Sequence, residues 1–125
     1  MKYVVLVDDE KVMQIIIKMQ FKEKLRKNIF GILFFSSGEE CLNYIKTNTD
    51  LEISLIITDI NMPKMDGYEL VKNIKLFSPD LYIIIMSAYN DKNHVSRAFL
   101  AGANDYLTKP LNFKQLLTII EKTAS

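Results

Sequence analysis

The sequence is poor in the residues that form disulfides in small secreted domains or bind zinc. It contains a single cysteine, Cys41, a single histidine and no tryptophan. A lone cysteine cannot form an internal disulfide, which is typical of a protein kept in a reducing compartment, so a cytoplasmic location is expected. No cysteine or histidine lies near the acidic residues described below, which argues against a zinc or thiolate site there.

Long hydrophobic runs and an excess of one charge are also missing. No apolar stretch approaches the ~20 residues that span a membrane, and the N-terminus lacks the pattern of a secretory signal. The 16 basic and 15 acidic residues nearly cancel, which argues against direct binding to nucleic acid. The 125 residues contain no repeat or linker. We therefore expect one domain over 1–125 with no output domain in this chain.

Short apolar runs alternate with helix-length segments five times along the chain. The predicted strands are 3–7, 32–35, 53–58, 81–86 and 104–107. The predicted helices are 10–24, 38–47, 67–77, 92–101 and 113–123. The central strands are apolar almost throughout, which is typical of parallel strands covered by helices on both faces. This pattern predicts an α/β fold, a doubly wound five-stranded parallel sheet of the flavodoxin-like (βα)5 type with strand order 2-1-3-4-5.

The predicted helices are amphipathic, and their apolar stripes are expected to pack on the sheet. In the first helix this stripe consists of Val12, Ile15, Ile16 and Met19, which recur at helical spacing.

Polar residues follow several of the predicted strands directly. Asp8 and Asp9 follow the first strand, Asp59 the third, Ser87 the fourth and Lys109 the fifth. Parallel strands bring their carboxyl ends to one edge of the sheet, so these side chains are expected to meet there. Three carboxylates repel one another, and a hard divalent cation such as Mg²⁺, which prefers oxygen ligands, would offset the cost.

This set of residue types suits metal-assisted phosphoryl transfer. A carboxylate can act as the nucleophile and form an acyl phosphate. Lys109 and Ser87 can then neutralise and bind the phosphoryl oxygens.

With these motifs in order, the sequence resembles the receiver domain of two-component response regulators, in the single-domain form similar to chemotaxis regulators. The resemblance covers essentially the whole chain. The matching residues are Val7-Asp8-Asp9-Glu10, Thr58-Asp59, Met62-Pro63, Asp66-Gly67, Met86-Ser87-Ala88, Gly102-Ala103, Tyr106 and Lys109-Pro110.

The resemblance implies a role for each matching position. Asp59 would be the phosphoacceptor, and Mg²⁺ would be held by Asp8, Asp9, Asp59 and the backbone carbonyl of Asn61. Ser87 would be the switch hydroxyl, and Tyr106 would be the aromatic residue that turns inward when this hydroxyl moves toward the phosphate. Lys109 would bind the phosphate. The Lys109-Pro110 peptide bond is often cis in this family.

The resemblance also implies partners. The phosphoryl group would come from a histidine kinase or a histidine phosphotransfer protein, and the protein would be a signalling switch, not an enzyme with a separate substrate. A downstream target or output domain would bind the face formed by the fourth helix, fifth strand and fifth helix, roughly 92–122. The protein would be a monomer or a dimer that forms on phosphorylation.

Three other classes of protein are alternatives to a receiver domain. A haloacid-dehalogenase-like phosphatase needs a second acid two residues after its nucleophile, where this chain has Asn61. A flavodoxin-type flavin carrier needs phosphate-binding donors after the first strand, where this chain has acids. An interaction module of the same fold that takes no phosphate is the third.

The sequence also predicts the roles of Tyr89 and His94. Tyr89, two residues past Ser87, lies at a position that tunes hydrolysis in the family, and its bulk is expected to hinder attacking water. His94 is expected to be a surface histidine in the fourth helix, without a role in phosphoryl transfer.

Overall fold

Five parallel strands form the central sheet of the protein, in the order β2-β1-β3-β4-β5. The structure is a computed structural model that describes residues 2–124. The strands are β1 (Tyr3–Val7), β2 (Gly31–Phe35), β3 (Ile53–Asp59), β4 (Ile83–Ser87) and β5 (Asp105–Thr108). The helices are α1 (Lys11–Gln20), α2 (Lys22–Arg26), α3 (Gly38–Thr47), α4 (Gly67–Phe77), α5 (Lys92–Ala101) and α6 (Phe113–Ala124). The predicted fold class and strand order are therefore confirmed.

Alternate residues of each central strand enter separate cores on the two faces of the sheet, as the pleat requires. Val5 and Ile56 pack with α3, α4 and α5 on one face. Leu6 and Ile57 pack with α1 and α6 on the other. Cys41 is fully buried in the first of these cores, and burial raises the pKa of its thiol to about 12. The cysteine is therefore a packing residue that stays protonated at neutral pH.

The helix predicted over 10–24 is wrong in its length. The chain breaks at Phe21, where φ is −108° and ψ is 20°, and continues as the short helix α2. The Phe21 ring is buried and makes edge-to-face contacts with Phe30 and Phe113, at centroid distances of 5.9 and 6.1 Å. The break thus coincides with a ring that is held in the core by aromatic contacts.

The predicted core face of the first helix is also wrong. Val12, Ile15 and Met19 are 54%, 57% and 71% exposed, whereas Ile17 is buried at 3%. Apolar residues surround this helix on nearly every side, so their spacing could not select the face that packs on the sheet. Ile17 and Phe21, four residues apart, form the observed contact with the core.

Several strand ends differ from the prediction by one or two residues. β4 begins at Ile83 instead of residue 81 and ends at Ser87, while β5 covers Asp105–Thr108. At this end of β4 the Asn104 side chain takes part in the pairing, since its Oδ1 accepts from the backbone N–H of Ile83 at 2.9 Å. No helix among residues 2–124 is long and apolar enough to cross a membrane.

The difference in burial between Ile17 and Ile15 on α1 can be tested by measuring stability. Ile17→Ala is expected to lower the free energy of unfolding by about 2–5 kcal/mol, because it leaves a cavity in the core. Ile15→Ala should change it by less than about 0.5 kcal/mol, because that side chain is already in water. Urea unfolding of both variants measures the difference. Equal losses would show that the face of α1 has been assigned incorrectly.

Candidate functional site

The acidic residues meet at the carboxyl edge of the sheet, as the strand order requires. Ligand atoms of Asp8, Asp9, Glu10 and Asp59 lie within 4.8 Å of one another. Asp8 and Asp59 are buried, at 8% and 5% exposure, while Asp9 and Glu10 are open to solvent. The carboxylates that follow β1 and the one that ends β3 are thus brought together as predicted, and Glu10 joins them.

The two buried carboxylates are held differently by the backbone. Asp59 Oδ1 accepts from the N–H of Ile60 at 2.8 Å. Asp8 Oδ1 accepts from the N–H of Glu10 at 2.9 Å, but Asp8 Oδ2 is buried without a hydrogen-bond partner among the residues that the structure describes. Burial raises the pKa of the Asp8 carboxyl, and the nearby charge of Asp59 raises it further, against the lowering effects of the Glu10 amide and Lys109.

Lys109 is the cation that faces this pair. Its Nζ lies 3.4 Å from Asp59 Oδ2 and 3.8 Å from Asp8 Oδ2. The backbone N–H of Lys109 donates to the carbonyl of Ser87 at 2.8 Å, which fixes the start of the loop after β5. The Lys109-Pro110 peptide bond that follows is cis, as the resemblance implies.

Ser87 ends β4 and is fully buried. Its Oγ accepts from the backbone N–H of Tyr89 at 3.1 Å, so its own hydroxyl proton is left to donate. The half-buried Tyr106 donates its hydroxyl to the backbone carbonyl of Tyr89. The Tyr89 backbone therefore lies between the two predicted switch residues and bonds to both.

Asn61 is exposed beyond the end of β3. A cleft of about 420 Å³ opens beside the acids, and Asn61, Asp9 and Tyr89 all line it. The predicted residues of the site thus lie around one edge of the sheet.

Gly67 is a residue that the sequence marked only as a turn and a motif position. A Cβ built on Gly67 would lie 2.3 Å from the carbonyl oxygen of Asp59. The backbone N–H of Gly67 donates to the carbonyl of Ile60 at 2.9 Å. Only glycine permits this close approach. The start of α4 therefore packs directly on the backbone that carries Asp59.

The family model for the response regulator receiver domain matches residues 4–121. The chain therefore belongs to the family of response regulator receiver domains. Members of this family are signalling switches of two-component phosphorelays instead of classical enzymes; they generally bind Mg²⁺ at an acidic pocket and interact with histidine kinases and output domains. This membership argues against the phosphatase and flavin-carrier interpretations.

Individual relatives agree with this assignment. The chain is 31% identical over 118 residues to the two-component response regulator ORR1 of rice, covering 90% of this chain and 51% of the relative. It is 37% identical over 91 residues to the DNA-binding transcriptional regulator NtrC of Klebsiella pneumoniae, covering 73% of this chain and 19% of NtrC. The chain thus spans about half the length of the rice relative and about a fifth of NtrC.

Solved structures agree with the fold. A response regulator receiver domain protein from Clostridium thermocellum superposes with a TM-score of 0.84 at 28% identity, over 99% of this chain and 94% of that one. The Francisella response regulator 1452 receiver domain gives a TM-score of 0.83 at 29% identity, over 98% of this chain and 95% of that one.

The buried charge of Asp8 leads to a prediction about stability without metal. A raised pKa means that the folded protein disfavours ionised Asp8, a cost that is present at neutral pH and disappears below the unfolded-state pKa near 3.8. Asp8→Asn should therefore raise the free energy of unfolding at pH 7 in a chelator, by on the order of 1 kcal/mol.

Asp9→Asn is the matched control, because Asp9 is exposed and should give a smaller gain. Thermal unfolding with and without Mg²⁺ measures both variants, and the Mg²⁺-dependent rise in Tm should shrink in each. If metal-free Asp8→Asn melts below the parent, burial of this charge does not limit stability.

Proposed function

We propose that this protein is a phosphorylation-dependent switch that accepts a phosphoryl group on Asp59 from the phosphohistidine of a histidine kinase or histidine phosphotransfer protein. The observation that carries the proposal is the arrangement of the Asp59 carboxylate. Its Oδ1 is bound by the Ile60 amide, and its Oδ2 faces Lys109 at 3.4 Å. One oxygen is held in place while the other faces the cation that an incoming phosphoryl group requires.

Mg²⁺ fits the donor set beside Asp59. Every candidate ligand is oxygen, and among residues 2–124 the buried Asp8 Oδ2 accepts no hydrogen bond and faces only the more distant Lys109. In this proposal Asp8, Asp9, Asp59 and the backbone carbonyl of Asn61 hold the ion. When bound, Mg²⁺ would neutralise part of the charge that the phosphoryl oxygens bring to the acidic pocket.

Asp59 performs the covalent step. Its Oδ2 attacks phosphorus as the P–N bond of the donor phosphohistidine breaks, and the electron pair of that bond leaves with the imidazole nitrogen. Lys109 then exchanges its contact with Asp59 for one phosphoryl oxygen. The reverse fate is hydrolysis, in which water attacks phosphorus and Asp59 is released as a carboxylate.

Ser87 and Tyr106 transmit the change. The free hydroxyl proton of Ser87 donates to a phosphoryl oxygen, which requires the hydroxyl to leave the Tyr89 amide that it now contacts. Tyr106, bonded to the carbonyl of the same Tyr89, responds by turning inward. The surface of α5, β5 and α6 changes as a result and binds a downstream target or output domain.

The domain organisation, cellular location and oligomeric state of this switch are proposed as well. Residues 1–125 act as one receiver domain in the cytoplasm, as a monomer or as a dimer that forms on phosphorylation. Direct contact with nucleic acid or membrane plays no part in its action.

Intact mass spectrometry tests the phosphoacceptor. After incubation with Mg²⁺ and acetyl phosphate, the parent should gain one phosphoryl group, Asp59→Asn should gain none, and the exposed-acid control Asp50→Asn should behave as the parent does. Omission of Mg²⁺ should abolish the adduct. A phosphorylated Asp59→Asn would place the acceptor elsewhere. A parent without adduct under acetyl phosphate and under a phosphohistidine donor would leave the phosphate-independent interaction module.

Tyr89 gives a second test, based on the lifetime of the phosphoryl group. Its side chain lines the cleft shared by Asp9 and Asn61, where it obstructs approaching water. Tyr89→Ala should therefore speed decay of the adduct after donor removal by about two- to tenfold, equivalent to roughly 0.4–1.4 kcal/mol of barrier. Tyr89→Phe keeps the ring and should decay as the parent does. Decay of Tyr89→Ala at the parent rate would remove the role of the ring.

A further inference from the structure

The single histidine of the chain lies in the helix where it was expected and is partly exposed, but its ring also packs against the loop that follows β4. His94 is in the first turn of α5, and its ring stacks on that of Tyr89. The ring centroids are 4.2 Å apart and the ring planes are 13° from parallel. The His94 side chain is only 29% exposed. The contact joins α5 to the loop that follows β4.

The orientation of the His94 ring is fixed by the residue that caps α5. Asp91 accepts from the backbone N–H of His94 at 3.2 Å through Oδ2, and its Oδ1 lies 2.6 Å from His94 Nδ1. An ionised carboxylate only accepts hydrogen bonds, so Nδ1 carries the proton in this contact. Asp91 therefore caps the helix and holds the imidazole in one orientation at the same time.

Tyr89 is held at three points, of which the stack is one. Its N–H donates to Ser87 Oγ, and its carbonyl accepts from the Tyr106 hydroxyl. A movement of the Ser87 hydroxyl toward Asp59 would stretch the first of these bonds unless the Tyr89 loop moved with it. A contact that holds the Tyr89 ring therefore opposes that movement, even though it touches neither Ser87 nor Asp59.

Space is available for the Tyr89 ring once the stack is lost. Tyr89 is 43% exposed, and Tyr89 and His94 both line the cleft of about 420 Å³ that Asp9 and Asn61 also line. Within residues 2–124, the one aromatic ring that Tyr89 contacts is that of His94. The stack is thus a separate restraint on the loop, in addition to the two backbone hydrogen bonds.

We propose that His94 is a positioning residue that latches loop 88–91 in its resting arrangement through the Tyr89 ring. The latch sets how readily the Ser87 hydroxyl moves toward a phosphoryl group on Asp59. This proposal rests on the proposed function and adds a residue of α5 to it.

The test is the initial rate of phosphorylation at low acetyl phosphate with Mg²⁺, followed by intact mass. His94→Ala removes the stack and should raise this rate about two- to tenfold, the range that the loss of one aromatic pair allows. His94→Phe keeps a ring against Tyr89 without the bond to Asp91, and should stay within about twofold of the parent. This rescue separates stacking from any chemistry of the imidazole.

A double-mutant cycle and amide exchange complete the experiment. In a Tyr89→Ala background, His94→Ala should leave the rate unchanged, because the partner of the stack is already gone. Hydrogen exchange of the Tyr89 amide should be faster in His94→Ala than in the parent, and close to the parent in His94→Phe. A general loosening of α5 would instead persist in the Tyr89→Ala background.

The possible outcomes distinguish this proposal from the one on which it rests. A parent that takes up no phosphoryl group from acetyl phosphate or from a phosphohistidine donor overturns the proposed function and the latch with it. A phosphorylated parent whose rate equals that of His94→Ala overturns the latch alone, even if the Tyr89 amide exchanges faster. A His94→Phe variant as fast as His94→Ala also overturns it, because stacking would then not be the restraint.

Discussion

The burial of two carboxylates beside one lysine is the constraint on which the rest of the structure depends. Asp8 and Asp59 are almost entirely buried, and Lys109 is the cation placed against both. One positive charge cannot balance two negative charges. The pKa of the Asp8 carboxyl is therefore raised, first by burial and then by the negative charge of Asp59. A fold that keeps this arrangement must hold both acids rigidly, since relaxation would move them apart or into water. The backbone amides of Glu10 and Ile60 and the contact of Gly67 with the Asp59 carbonyl provide that rigidity.

The parallel sheet explains how residues far apart in sequence reach this point. In register, Asp59 pairs with Met86 across β3 and β4, and Ser87 pairs with Thr108 across β4 and β5. β1, β3, β4 and β5 thus end close to the same level, and the residues at or just beyond their ends form the site. The two cores supply the stability that offsets the charge cluster, because the strands that carry the acids are buried on both faces. Electrostatic strain is confined to one edge, while hydrophobic packing holds the remainder.

The fold and the cluster of acids could be predicted because each depends on a local pattern that has one spatial outcome. Apolar strands alternating with helices leave few topologies, and residues after parallel strands must share an edge. The failures have an equally physical origin. The apolar residues of α1 surround the helix, so Ile17 could not be told from Ile15 without the sheet against which it packs. The contact of Gly67 with Asp59 and the stack of His94 on Tyr89 join different elements, and spacing along the chain carries no signal for either.

The loop after β4 differs from the acidic edge in how it is stabilised. The acids are fixed by short backbone bonds and burial, whereas Tyr89 is held by one hydrogen bond to a hydroxyl, one from a hydroxyl and a stacked ring. Each of these contacts is worth on the order of 1 kcal/mol, so none is individually strong enough to fix the loop against a new charge beside it. A phosphoryl group on Asp59 would add such a charge, while the sheet beneath would not move. A rigid site next to a weakly restrained loop is what a switch requires, because the input must change one element and leave its scaffold intact.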